Sequence, residues 1–162
     1  MEDIQLDVLI IDDEDIESFR AKARKQKIML HHHKNFEDGL TELKNNFPDY
    51  NGVILDAKCF PDSSAEEDER LSVDDIDAVT HEVKQLTESR GYIPYCINTG
   101  YSAKFKKRLE KQGFEVFSKP LDNDEVLKYI RNQNKLENKY YFEHKEVMDV
   151  FKSGLLNTKY LK

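Results

Sequence analysis

The sequence predicts an α/β fold, a doubly wound (βα)5 domain with a five-stranded parallel sheet, an acidic insertion after the third strand and an extra C-terminal helix. Three observations predict it. Short apolar runs recur along the chain, each followed by polar residues and then by a longer segment of helical period. The strongest runs, Asp7 to Ile11 (DVLII) and Gly52 to Leu55 (GVIL), lack polar alternation, as expected of strands buried on both faces of a parallel sheet. The 162 residues, 38% hydrophobic and 35% charged, suit one domain of ordinary size.

Asp7 to Ile11 is the first strand. The helix after it, Glu14 to Gln26, begins acidic and ends basic, which complements the helix macrodipole, and Ile16, Phe19 and Ala23 form its apolar stripe. Ile28 to Leu30 (IML) is the second strand, and Phe36, Leu40, Leu43 and Phe47 give the second helix its buried face. After the third strand, Gly52 to Leu55, residues Pro61 to Asp77 are dense in Asp and Glu and form the insertion, its first part an acidic loop. A third helix runs from about Asp74 to Ser89 on Ile76, Val79, Val83 and Leu86. Tyr92 to Ile97 (YIPYCI) is the fourth strand, interrupted by Pro94 near its start. Ser102 caps a fourth helix with Phe105 and Leu109 inward and Lys104, Lys106, Lys107, Arg108 and Lys111 in water; Gly113 ends it. Phe114 to Phe117 (FEVF) is the fifth strand, and Asp122 caps a fifth helix carrying Val126, Leu127 and Ile130. Residues 1–131 then form the main domain, with the insertion at about 61–77. Residues 132–162 form a helical extension or linker, where Tyr140, His144, Val147, Phe151 and Leu155 space an amphipathic helix over about Lys139 to Leu156.

Charge and composition narrow the function. A formal net charge of -7 disfavours nucleic-acid or anionic-membrane binding driven by bulk charge. No stretch approaches a membrane span and the N-terminus lacks signal-peptide features, so a cytoplasmic location is expected. Cys59 and Cys96 are too few for a disulfide scaffold and have no zinc spacing; reduced, partly buried thiols are expected. In His31-His32-His33, strand alternation turns the middle ring away from its neighbours, which argues against a shared metal.

Polar residues that follow buried parallel strands emerge together on the carboxyl edge of the sheet, where open α/β folds place their sites. Asp12 and Asp13 follow the first strand, Asp56 the third, Thr99 ends the fourth and Lys119 follows the fifth. A strand, a helix and two loops make a repeat of roughly 20 to 23 residues. Asp13 and Asp56 stand two such repeats apart and Thr99 and Lys119 one, while the surplus between Asp56 and Thr99 is accounted for by the acidic insertion. Three converging carboxylates repel one another, and a hard divalent cation that prefers oxygen ligands, such as Mg2+, relieves the repulsion.

In these residues, over about positions 5 to 131, the sequence resembles the response-regulator receiver domains of two-component signalling. The resemblance rests on the acidic pair in IIDDE, Asp56 in GVILDAK, Thr99 in INTGYS and Lys119 in FSKPL. It implies that Asp56 accepts a phosphoryl group from a histidine kinase or histidine phosphotransfer protein, the domain catalysing its own phosphorylation and dephosphorylation. Asp13 and Asp56 would contact Mg2+ directly, Asp12 mostly through water, with the Lys58 carbonyl completing the protein ligands. Lys119 would neutralise the phosphoryl oxygens. Thr99 would donate its hydroxyl to them and move inward as the switch that alters a partner-binding surface, serving an output domain, a protein partner or a homodimer.

The pattern departs from the family in two places. Val116 stands where the family usually has an aromatic residue coupled to the threonine, and Phe117, one place later, should face the other side of the strand. Pro61 falls one position later than usual, ahead of the long insertion. Lys58 and Tyr101 occupy positions that restrict the hydrolytic water in this family, so a slowly decaying phosphoryl state is expected. The alternatives are a degenerate receiver serving as a binding or dimerisation module, and a haloacid-dehalogenase-type phosphatase using Asp13 and Asp15; the latter leaves Asp56 without a role.

Overall fold

The computed structural model describes residues 4–56, 73–100, 107, 109–111, 115–119, 121–135 and 144, and for 73–79, 87 and 90 the backbone alone. Among the described residues there are five strands: β1 (Leu6–Ile11), β2 (Ile28–His33), β3 (Gly52–Leu55), β4 (Tyr95–Thr99) and β5 (Val116–Ser118). They form one sheet in the order β2-β1-β3-β4-β5, and every pair is parallel. The helices are α1 (Glu17–Lys25), α2 (Phe36–Asn46), α3 (Val73–Arg90) and α4 (Asn123–Gln133). Of the expected helix between β4 and β5, residues 107 and 109–111 are described, and they are helical. The winding reverses between β1 and β3, which opens a crevice at their carboxyl ends.

Strand alternation divides the buried side chains into two cores. Leu9, Ile11, Val53, Leu55, Ile97 and Val116 face Leu40 and Leu43 of α2, Val83 and Leu86 of α3, and Leu109. On the opposite face Val8, Ile10, Ile28, Ile54 and Cys96 meet Phe19 and Ala23 of α1 and Val126, Leu127 and Ile130 of α4. Each such large side chain contributes roughly 1.5–3 kcal/mol on full burial, so the two faces together hold the sheet edge in place.

Several boundaries differ from the sequence expectation, each for a local reason. The second strand extends through His33, because β1 pairs with it along its whole length. The fourth begins only after Pro94, whose carbonyl still accepts the Val53 N–H at 2.9 Å. The fifth runs Val116–Ser118, after Glu115, and Phe114 lies outside the described residues. The first helix starts at Glu17, where Asp15 Oδ1 accepts the Glu17 N–H at 2.9 Å. The second stops at Asn46, ahead of Pro48, and Phe47 enters the core from a 3-10 turn, Phe47–Asp49. Asp122 precedes α4 but does not cap it: its Oδ2 accepts the Ser118 N–H at 2.9 Å. The third helix begins at Val73, within the segment assigned to the insertion. The remainder of that insertion, Lys58, Cys59, Tyr101 and the tail helix lie outside the described residues, apart from His144.

At the amino edge of the sheet Arg131 joins three chain segments. Its Nη1 donates to the Ile4 carbonyl at 3.0 Å, and its Nη2 to the carbonyls of Gln26 at 2.6 Å and Lys27 at 3.4 Å. Lys27 has φ 58°, a left-handed conformation unusual for a side-chain-bearing residue, so the guanidinium fastens the α1–β2 turn where the backbone is least favourable. Among the described residues no helix is long and apolar enough to cross a membrane.

Candidate phosphoacceptor and metal site

The ladder hydrogen bonds continue one residue beyond the central strands. The Asp12 N–H donates to His33 O at 3.0 Å and the Asp56 N–H to Ile11 O at 2.8 Å, which carries both carboxylates past the ends of β1 and β3 into the crevice. Both are buried, Asp56 at 1% exposure. Asp13 joins them: one ligand atom from each of Asp12, Asp13 and Asp56 lies within 4.8 Å of the others. This is the carboxylate set expected from the sequence, and its all-oxygen chemistry fits a hard divalent cation.

Lys119 reaches the same place from the other side. Its N–H donates to the Thr99 carbonyl at 3.0 Å, which extends the β4–β5 ladder by one residue. Its Nζ then donates to Asp12 Oδ2 at 2.9 Å and Asp56 Oδ2 at 3.0 Å. Burial, followed by the charge of Asp56, pushes the Asp12 carboxyl above its ordinary value, against the pull of Lys119. Burial also acts to lower the Lys119 ammonium, but Asp56 and Asp12 more than offset it and hold Lys119 above its ordinary range. The site therefore sets three carboxylates around a protonated lysine, which suits the binding of a cation or the handling of phosphoryl oxygens.

Thr99 is fully buried at the end of β4, beside Lys119 through that backbone bond. Lys58, the expected carbonyl ligand, lies outside the described residues. Val116 packs in the core on the α2–α3 side, whereas Phe117 packs on the other face, its ring centroid 5.6 Å from that of Tyr129. The alternation argument thus holds. Asp15 is exposed and hydrogen-bonds at the start of α1 instead of joining the carboxylates. The histidine rings also separate: His31 Nε2 lies 2.9 Å from Asp7 Oδ1, while His32 Nε2 lies 2.6 Å from the Asp12 carbonyl.

Two residues of the site escaped the sequence reading. Glu14, expected only to open the first helix, precedes it; its N–H donates to Asp12 Oδ1 at 2.9 Å and its Oε2 lies 3.4 Å from Lys119 Nζ. Its adjacency to the acidic pair was the available signal. Asn98 is buried one residue past the Leu55–Ile97 register pair, hence laterally beside Asp56. Its Nδ2 donates to Asn123 Oδ1 at 3.0 Å, and its own Oδ1 is buried without a hydrogen bond among the described residues. An amide directly after the apolar Cys96-Ile97 pair and before Thr99 was the signal there.

No family model matches the chain, and no curated protein sequence does. Solved structures do match. A response-regulator receiver domain from Clostridium thermocellum is 19% identical, with 78% of this chain and 92% of that chain covered and a TM-score of 0.56. The receiver domain of a Francisella response regulator is 17% identical, covering 81% of this chain and 100% of that one, with a TM-score of 0.55. A CheY-like receiver domain from Methanospirillum hungatei is also 17% identical, with coverage of 80% and 93% and a TM-score of 0.55. Five parallel strands in this order, wound on both faces and carrying an acidic cluster at the carboxyl edge, have the fold of a response-regulator receiver domain.

Proposed function

We propose that the protein is a phosphoacceptor receiver domain in which Asp56 takes a phosphoryl group from a phosphohistidine on a histidine kinase or phosphotransfer protein. The observation that carries this reading is the bridge of Lys119 between the buried Asp12 and Asp56 carboxylates, with Asp13 completing the set. An Asp56 carboxylate oxygen attacks phosphorus; the bond to the donor nitrogen breaks, and the electron pair leaves with the imidazole. Phosphoryl transfer asks the protein mainly for positioning and charge neutralisation. Lys119 supplies a fixed ammonium beside the acceptor oxygen, and its own backbone bond to Thr99 sets where that ammonium sits. A Mg2+ ion would be held by Asp12, Asp13 and Asp56, with the Lys58 carbonyl, and would supply the rest of the neutralisation. The Thr99 hydroxyl donates a hydrogen bond to the new phosphoryl oxygens and passes the change to a partner-binding surface.

Intact mass after incubation with a small phosphodonor and Mg2+ tests the reading. One added phosphoryl group is expected in the wild type, none in Asp56→Asn or with a chelator, and Lys119→Ala slows transfer about 100-fold. A wild-type chain that takes no group while the donor stays intact is instead a binding module. Donor consumed without an adduct points to a phosphatase.

A further inference from the structure

Glu14 belongs to the site without belonging to its carboxylate cluster. The Lys119 ammonium has three N–H bonds and three carboxylate neighbours: Asp12 Oδ2 at 2.9 Å, Asp56 Oδ2 at 3.0 Å and Glu14 Oε2 at 3.4 Å. The first two acceptors are buried. Glu14 is 58% exposed and forms the outermost and longest of the three contacts. Its backbone is tied to Asp12 Oδ1, which keeps the side chain at the mouth of the crevice.

We infer that Glu14 is a charge gate for this site: a positioning residue that holds the Lys119 ammonium at rest and discriminates against strongly anionic phosphoryl donors. The inference rests on the reading of Asp56 as phosphoacceptor. An arriving phosphoryl group needs Lys119 to give up an acceptor, and the longest, most exposed contact is the one to yield. Until it does, the donor meets the Glu14 charge in addition to the three aspartates, the ammonium and the cation the aspartates would hold. A dianionic small molecule is repelled more than a donor of lower negative charge, such as a phosphoimidazole on a protein. The contact is solvent-exposed, so its effect is modest and salt-sensitive.

The test is the rate of adduct formation on the full chain at saturating Mg2+ over a range of ionic strengths. Acetyl phosphate serves as the dianionic donor and phosphoramidate as the less anionic one. Glu14→Gln should accelerate acetyl phosphate about two- to five-fold at low salt, Glu14→Lys more than that, with smaller gains for phosphoramidate. The gains should shrink as salt rises. Rates that are unchanged, that fall in both variants, or that rise equally at every ionic strength and with both donors would overturn the gate while leaving Asp56 as acceptor. A wild-type chain that takes no group from either donor overturns the gate and the acceptor reading together.

Discussion

Lys119 and the three aspartates were legible in the sequence because each follows an apolar run and parallel strands deliver such residues to one edge. Glu14 and Asn98 were not, because their roles depend on contacts made across the fold: Glu14 with a lysine from beyond β5, Asn98 with the first residue of α4. Asn98 also has an energetic signature. A buried acceptor without a donor costs about 1–3 kcal/mol, whereas an apolar side chain of similar shape has no such penalty. Asn98→Leu is therefore expected to stabilise the fold by about 1 kcal/mol in urea unfolding. A loss instead would mean that the Asn98–Asn123 hydrogen bond outweighs the unmet oxygen.

At the scale of the elements, apolar periodicity located the strands and helices, and local polar chemistry moved their ends. The apolar run Ile28 to Leu30 marks only the first half of β2, and β1 supplies a partner for each of the three histidines that follow it. Asn35 caps α2 by accepting the Asp38 N–H at 2.8 Å, and Asp38 Oδ2 accepts the Asn35 amide in return. In α2 the tightest constraint is Gly39. A Cβ there would lie 2.5 Å from both Cδ1 and Cγ1 of Ile11, so the helix rests on β1 through its bare backbone. Alanine normally gains about 1 kcal/mol over glycine within a helix. Overpacking a filled core costs about 1–3 kcal/mol, so Gly39→Ala should range from neutral to a net loss of about 2 kcal/mol in denaturant melts. A stabilised variant would show that Ile11 can repack freely.

Over the whole molecule, sheet and helix layers were legible because the two cores repeat a simple alternation, the parallel strands turning successive residues to opposite faces. Stability against alkali emerges only at this scale. Burial, with the hydrogen bond to Glu42, pushes the Tyr50 phenol well above its ordinary 10.0. Burial lifts Tyr92 to about 12 and pushes Tyr129 up as well. Unfolded phenols ionise near 10 while these stay protonated, so the native state binds more protons above that pH and loses stability as pH rises. The loss runs from about pH 10 through the raised values. Urea midpoints should fall over that window, with a shallower slope in Tyr50→Phe; equal slopes would mean that Tyr50 ionises in the native state.

The Arg131 clasp gives α4 a fixed foot. Three carbonyls near the amino edge hold one end of an eleven-residue helix, while Asn123, at the other end, touches Asn98 beside the acidic site. A rod about 16 Å long, held at one end, would answer a push at the other by tilting rather than sliding. A push of about 2 Å at the head amounts to a rotation of about 7°, spread over the outer surface of the helix and fading toward the foot. The fixed foot of the helix thus lies at the opposite pole of the sheet from the acidic cluster.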